Sequence, residues 1–89
     1  MIRRTCMLTG RVQGVGMRFA VRNLARTYAI AGYVENTDDG RVRIVLEGTS
    51  QELSDFLERL QIVAPGHIHS IDTWESAASG EFDDFEIRR

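Results

Sequence analysis

The spacing of apolar residues divides this chain into strands and helices. Every second residue from 42 to 46 is a large aliphatic one, which is typical of a strand with one buried face. Between Met17 and about Tyr28, apolar residues recur at intervals of three and four, which predicts an amphipathic helix. The chain therefore combines the two periodicities of a mixed helix and sheet fold.

Local start and stop signals complete this division. Thr49-Ser50-Gln51-Glu52 is a capping box that opens a second helix with an apolar stripe. Asp39-Gly40 predicts a hairpin turn between the second and third strands. In chain order, the predicted elements are a strand from Arg4 to Thr9, a helix from Met17 to about Tyr28, a strand from Ala31 to Glu35, a strand from Val42, a helix after Thr49, a strand from Ile68 to about Glu75 and a strand from Phe82 to Ile87.

This order of elements predicts a ferredoxin-like βαββαβ sandwich of the α+β class. Two helices would pack on one face of a mostly antiparallel sheet, and the last segment would add a short extra C-terminal strand. The length of 89 residues fits one domain, which we expect to span residues 1–89.

Composition excludes several classes of function. A net charge of −2 argues against a general nucleic-acid or anionic-membrane binder. All eleven basic residues are arginine, which excludes lysine Schiff-base chemistry and a P-loop lysine. The single cysteine, Cys6, lies in an apolar strand, so we expect it to be a core residue. One cysteine cannot form an internal disulfide, so we expect the protein to be located in the reducing cytoplasm. No segment approaches the roughly 18 apolar residues of a membrane span, so we expect no membrane partner.

The most specific chemical signal is the glycine-rich segment between the first strand and the first helix. Gly10, Gly14 and Gly16 allow the backbone to turn through φ > 0 and to approach a ligand closely. The N–H groups at a helix start bind anions by donating hydrogen bonds to them. Arg18 adds a guanidinium fork that fits two phosphate oxygens. The segment therefore predicts a phosphate cradle.

Two well-known phosphate-binding motifs do not fit this segment. Walker A needs a lysine, and the dinucleotide fingerprint needs a third glycine where Phe19 stands. With these two motifs excluded, the predicted ligand of the segment is a small phosphoryl group. Arg18 lies near the positive end of the helix, where a cation is unfavourable unless an anion is nearby, and this placement favours a functional arginine over a solvated one.

Asn36 has two interpretations. It can simply begin the hairpin turn, where asparagine is frequent. In the predicted fold, however, the end of the second strand could lie beside the glycine loop, where a neutral amide could hold a water molecule.

The remaining candidate side chains are expected to be structural. His67 and His69 share one face of a strand, but no third ligand is suitably spaced, so we expect no metal site. Trp74, Phe82 and Phe85 are expected to be packing residues rather than a stacking platform.

Two segments resemble the signatures of the acylphosphatase family. Gly10-Arg11-Val12-Gln13-Gly14-Val15-Gly16-Met17-Arg18 resembles the first, and Gly32-Tyr33-Val34-Glu35-Asn36-Thr37-Asp38-Asp39-Gly40-Arg41-Val42 resembles the second. The similarity covers nearly the whole chain. One departure is Met17, because an aromatic residue commonly precedes the arginine in that family, and methionine can fill similar space.

The resemblance implies hydrolysis of acyl phosphates to a carboxylate and inorganic phosphate, without a metal, a cofactor or a covalent intermediate. By position, Arg18 would bind the phosphate and Asn36 would orient the attacking water. The phosphate cradle would comprise Arg11, Val12, Gln13, Gly14 and Val15. We expect a monomer whose partner is a small-molecule acyl phosphate.

Two other functions stay open at this point. Acylphosphatase-like domains also begin larger hydrogenase-maturation carbamoyltransferases, so the chain could be a phosphate- or carbamoyl-phosphate-binding module without free-standing catalysis. The RNA recognition motif shares the order of elements, but the strand from Arg41 to Glu47 carries no aromatic residue on which bases could stack. We therefore expect no nucleic-acid partner.

Overall fold

Seven elements follow one another along the computed structural model, which describes residues 1–89. In chain order they are β1 (Ile2–Arg11), α1 (Met17–Ala25), β2 (Ala31–Asn36), β3 (Val42–Gly48), α2 (Ser50–Val63), β4 (His67–Ala77) and β5 (Phe85–Arg88). The strands form one sheet in the order β4-β1-β3-β2-β5, antiparallel except for the pair β2–β5. Both helices contribute to the core on one face of this sheet. The predicted ferredoxin-like α+β sandwich with an extra C-terminal strand is therefore confirmed.

α2 begins as its sequence predicts. Thr49 Oγ1 accepts a hydrogen bond from the Glu52 N–H at 3.2 Å, which is one half of a capping box. The Glu52 carboxylate accepts instead from the Ala29 N–H at 3.1 Å, so it ties α2 to the segment that follows α1. Neither helix is long and apolar enough to cross a bilayer.

α1 ends at Ala25 rather than at about Tyr28. Beyond Ala25 the backbone hydrogen bonds span three residues instead of four, since the Thr27 N–H donates to Leu24 O and the Tyr28 N–H donates to Ala25 O. This i→i+3 spacing is tighter than that of an α-helix. The Tyr28 ring still packs edge-on against Phe56, with centroids 6.1 Å apart. The apolar spacing therefore continues past the end of the helix itself.

β5 begins at Phe85, later than the predicted start at Phe82. The Phe82 ring packs against Tyr33 with centroids 5.8 Å apart, outside the strand. The hydrogen bonds that join β5 to β2 begin at Asp84, whose carbonyl accepts from the Gly32 N–H at 3.0 Å. Phe82 is therefore a packing residue ahead of the strand rather than its first member.

Cys6 and Phe85 lie in the core, whereas Trp74 does not. Neither Cys6 nor Phe85 has exposed surface, and burial raises the pKa of the Cys6 thiol to about 12. Trp74 is 55% exposed, so the prediction that it is a packing residue is wrong. It pairs with Thr5, next to Cys6, and therefore points away from the face on which the helices lie.

The end of β1, the end of β2 and the start of α1 lie at the same end of the strands. Val42 pairs with Leu8 of β1 on one side and with Asn36 of β2 on the other. Neighbouring strands lie about 4.8 Å apart, so Leu8 and Asn36 lie about 10 Å from each other, and β1 continues beyond Leu8 to Arg11. The loop 12–16 leaves β1 at this end of the strands, which brings it close to Asn36.

At the opposite end of the strands, Glu47 binds β1 and the segment after β4 to β3, and it is only 6% exposed. Its carboxylate accepts hydrogen bonds from Arg3 Nε at 2.8 Å, from the Ser79 N–H at 2.8 Å, from Ser79 Oγ at 2.9 Å and from the Gly80 N–H at 3.0 Å. Burial opposes ionisation, but these donors, led by the two backbone N–H groups, outweigh it and lower the pKa of Glu47 to about 2.

Glu47 should make stability depend on pH in the acid range. Its pKa is lowered from the ordinary value of about 4.3, so the unfolded chain binds more protons than the native chain between that value and about 2. The stabilisation by Glu47 is complete above about pH 4.3 and is lost as the pH falls toward 2. Glu47→Gln should lower the free energy of unfolding at pH 7 by on the order of 2 kcal/mol.

Urea unfolding at several pH values checks this expectation. The difference between the wild type and Glu47→Gln should shrink as the pH is lowered from 5 to 2.5. Glu58→Gln, which changes an exposed glutamate of α2, serves as the matched control and should follow the wild type. A difference that stays constant over this range would show that the charge of Glu47 does not carry the effect.

Candidate active site

A cavity of about 130 Å³ opens where α1 begins and β2 ends. Arg18 and Asn36 both line it, together with part of the glycine loop. The full set of lining residues is Val12, Gly14, Gly16, Met17, Arg18, Phe19 and Asn36. Three residues of the predicted cradle, Arg11, Gln13 and Val15, do not line the cavity.

The loop before α1 has a conformation that depends on glycine. Gly14 and Gly16 have φ values of 73° and 83°, in the left-handed region that other residues rarely adopt. A Cβ atom at either position would meet no other atom within 4 Å, so the backbone conformation rather than crowding requires glycine there. Both glycines face open space beside the cavity.

The backbone of this loop presents unpaired donors. No N–H group from Val12 to Phe19 donates to a backbone acceptor, and the series begins only with Ala20, which donates to Gly16 O at 3.1 Å. No side chain caps α1 and no acidic residue lies in its first turn, in contrast to the capped α2. The positive end of the α1 dipole therefore faces the cavity without a protein partner.

The loop is held on both sides. Gln13 Nε2 donates to Thr37 O at 2.9 Å and to Arg41 O at 2.8 Å, which joins the loop to the β2–β3 hairpin. On the other side, Arg11 O lies so close to Gly66 that a Cβ atom at that position would clash with it. The side chain of Gln13 thus fixes the loop relative to Asn36, a role that differs from direct phosphate binding.

Arg18 carries a guanidinium without a carboxylate partner. Five other arginines form ion pairs, but Arg18 forms none. Its Nη1 atom donates weakly to Arg88 O of β5 at 3.4 Å, and its side chain is half-buried. A half-buried cation at the positive end of a helix is compensated when an anion occupies the cavity.

Asn36 is free of the turn that follows it. The hairpin is closed by Thr37, whose Oγ1 donates to the Asp39 carboxylate and accepts from the Arg41 N–H at 3.1 Å. The hydrogen bonds from Arg41 and Thr37 lower the pKa of Asp39 to about 2. The turn chemistry therefore belongs to Thr37 and Asp39, and the Asn36 amide is left to line the cavity.

Other sequence candidates lie outside this site. His67 and His69 are exposed on β4, and no group of three or more His, Cys, Asp or Glu side chains comes together as a metal site. A larger cleft of about 670 Å³ lies at the opposite end of the strands, around Tyr28, Glu47 and Phe82. It contains none of the predicted site residues.

Met17, the departure from the family pattern, belongs to both the core and the site. It is 2% exposed in the core cluster and also lines the cavity. Sequence reasoning missed two further neighbours, the exposed ring of Phe19 and the carbonyl of Arg88 that holds Arg18. The position of Phe19 directly after Arg18 was an available signal, whereas the contact with Arg88 depends on the distant β5.

Both the sequence and the fold match known proteins. The acylphosphatase family model matches residues 4–87. An acylphosphatase of Paenarthrobacter aurescens is 39% identical over 87 residues, which is 97% of this chain and 93% of that protein. The crystal structure of acylphosphatase from Bacillus subtilis has a TM-score of 0.94 and 36% identity, with 100% of each chain covered. The crystal structure of T. kodakarensis HypF has a TM-score of 0.88 and 30% identity, and the match covers 100% of this chain and 12% of that one. This chain belongs to the acylphosphatase family.

Proposed function

We propose that this protein hydrolyses acyl phosphates to a carboxylate and inorganic phosphate at the cavity between α1 and β2. The observation that carries the proposal is that Arg18, Asn36 and the glycine loop line one cavity. The loop and Arg18 bind the phosphoryl group, and Asn36 orients the attacking water. The family membership supports the reaction class, and the geometry supports the assignment of these residues.

Charge neutralisation is the main contribution of the binding loop. The residues that line the cavity include Val12, Gly14 and Gly16, whose N–H groups have no backbone acceptor, and Arg18, whose guanidinium adds further donors. Donors that are already in position stabilise charge that develops in a transition state without reorganisation at the moment of reaction. Phosphoryl transfer depends mostly on such positioning and charge stabilisation.

The reaction needs little acid or base assistance from the protein. The oxygen of the water attacks phosphorus, and the bond between phosphorus and the acyl oxygen breaks. The leaving group is a carboxylate, whose conjugate acid has a pKa of about 4, so it departs without protonation. The proton of the water passes to an oxygen of the transferred phosphate. Asp39, the ionised carboxylate on the neighbouring turn, is engaged by Arg41 and Thr37 rather than by the cavity.

Metal-independent hydrolysis is part of this proposal. Arg18 and the loop N–H groups occupy the role that a divalent cation has in many phosphoryl-transfer sites, because they neutralise the phosphate oxygens. The reaction should therefore proceed in excess EDTA.

A phosphate- or carbamoyl-phosphate-binding module is the second candidate. The match to T. kodakarensis HypF supports a module, because the matched region is only 12% of that longer chain. Steady-state turnover of benzoyl phosphate and carbamoyl phosphate by the purified chain separates the two. Hydrolysis of benzoyl phosphate with inorganic phosphate as a competitive inhibitor supports the enzyme. Binding of phosphate without turnover of either compound would favour the module.

Four sequence expectations stay predictions alongside this proposal. They are a monomeric state, the lack of a nucleic-acid partner, a cytoplasmic location and a domain that spans residues 1–89. The monomeric state is an expectation given with the family resemblance, and the other three follow from composition, from length and from the strand Arg41 to Glu47, which carries no aromatic residue.

A further inference from the structure

We infer that Phe19 forms the contact surface for the acyl group, so that acyl phosphates with aromatic acyl groups are preferred over acetyl phosphate. This inference rests on the proposed function. It begins with the exposure of Phe19, which directly follows Arg18 in the first turn of α1. The ring is 53% exposed although it lines the cavity. The other apolar side chains of the lining, Val12 and Met17, are 1% and 2% exposed and belong to the core.

The packing of the fold does not account for Phe19. The ring is not part of the core cluster or of the partly buried residues packed against it. Its neighbour is the Arg22 guanidinium, which lies 5.3 Å from the ring centroid. A cation on one face of a ring leaves the other face available for contact, and Phe19 is one of the residues that line the cavity.

The chemistry of in-line displacement directs the acyl group toward this ring. The attacking water and the leaving oxygen lie on opposite sides of phosphorus. If Asn36 holds the water, the acyl group leaves the cavity along the other lining residues. Among these, Gly14 and Gly16 have no side chain and Arg18 is polar. Phe19 is therefore the apolar side chain that an acyl substituent can meet at the mouth of the cavity.

The size of the effect follows from aromatic contacts in general. Offset or edge-to-face ring pairs contribute beyond area burial by about two- to twelvefold in affinity. An acetyl group lacks this surface. The preference should therefore appear as a difference between benzoyl and acetyl phosphate.

The test compares kcat/KM for benzoyl phosphate and acetyl phosphate in the wild type, Phe19→Ala and Trp74→Ala. Trp74 is a matched control because it is an exposed aromatic residue outside the site. Phe19→Ala should lower kcat/KM for benzoyl phosphate about fivefold, with kcat/KM for acetyl phosphate within twofold of the wild type. The inhibition constant of inorganic phosphate should be unchanged, which shows that the phosphate site is intact. Trp74→Ala should alter neither substrate.

The outcomes distinguish this inference from the proposed function. Equal changes for the two substrates, or no change for either, would overturn the role of Phe19 while leaving the wild-type activity in place. A wild type that hydrolyses neither compound would overturn the proposed function and the inference together. Phe19→Leu provides a second variant, and it should give an intermediate preference for benzoyl phosphate because it keeps part of the apolar surface.

Discussion

Arg18→Ala should lower kcat/KM for benzoyl phosphate at least about 10²-fold, the scale of losing one preorganised charge partner in a transition state. Arg18 is the cavity's only charged lining residue, and its guanidinium has no carboxylate partner that would compete with a bound phosphate. The variant should also lose inhibition by inorganic phosphate, since the guanidinium binds the same oxygens in substrate and product. Initial-rate kinetics with and without phosphate measure both effects.

Two further variants sharpen this prediction. Arg18→Lys keeps the charge but loses the planar fork, so it should remain well below the wild type. Arg59→Ala removes an exposed arginine of α2 and should leave the kinetics unchanged. Wild-type rates in Arg18→Ala would remove Arg18 from the mechanism, and full activity in Arg18→Lys would show that charge alone suffices.

Asn36→Ala should lower kcat about 10²-fold, because misplacement of a reacting group by about 1 Å costs on this scale. The inhibition constant of inorganic phosphate should change little, since the loop and Arg18 hold the phosphate. This separation of kcat from phosphate affinity distinguishes Asn36 from Arg18. Rapid-mixing kinetics and phosphate inhibition of the same preparation give both quantities.

Asn23→Ala is the matched control for Asn36, since Asn23 is an exposed asparagine of α1 outside the cavity. It should behave as the wild type. If Asn36→Ala weakens phosphate binding as strongly as it slows turnover, Asn36 is a phosphate ligand rather than the residue that orients the water. Unchanged turnover would leave it with the turn-forming role that its sequence context also allows.

Local sequence signals predicted most of the elements because their causes are local. The capping box at Thr49 opens α2 as expected, and the left-handed glycines lie in the loop where they were predicted. The proximity of Asn36 to the loop required the topology, since the central β3 pairs with β1 on one side and with β2 on the other. The sequence could therefore suggest this pair of elements, but their joint lining of a cavity required the structure.

Features that depend on distant partners could not be predicted from the sequence. The exposure of Trp74 follows from the edge position of β4 and from the face that the helices leave open. The burial of Glu47 depends on donors from Ser79 and Gly80 after β4. The two hydrogen bonds of the Gln13 side chain likewise reach the hairpin on the far side of the cavity. Periodicity and turn signals carry no information on these contacts.

The site also shows a physical contrast between the two helices. α2 has a side-chain cap, whereas α1 begins after Gly16 and has none, and glycine in place of a capping side chain costs roughly a few tenths of a kcal/mol. The helix that lacks the cap is the one whose N–H groups face the cavity. The unpaired donors of α1 are therefore best understood as binding capacity that a phosphoryl group would use.

Hydrolysis of benzoyl phosphate in ¹⁸O-labelled water with excess EDTA tests whether water attacks phosphorus without a metal ion. In the proposed mechanism, the attacking water lies at Asn36 and the phosphorus atom lies among Arg18 and the loop N–H groups. This mechanism predicts turnover in EDTA with the label in inorganic phosphate and none in benzoate. Label in benzoate, which indicates attack at the carbonyl carbon, or loss of turnover in EDTA would contradict it.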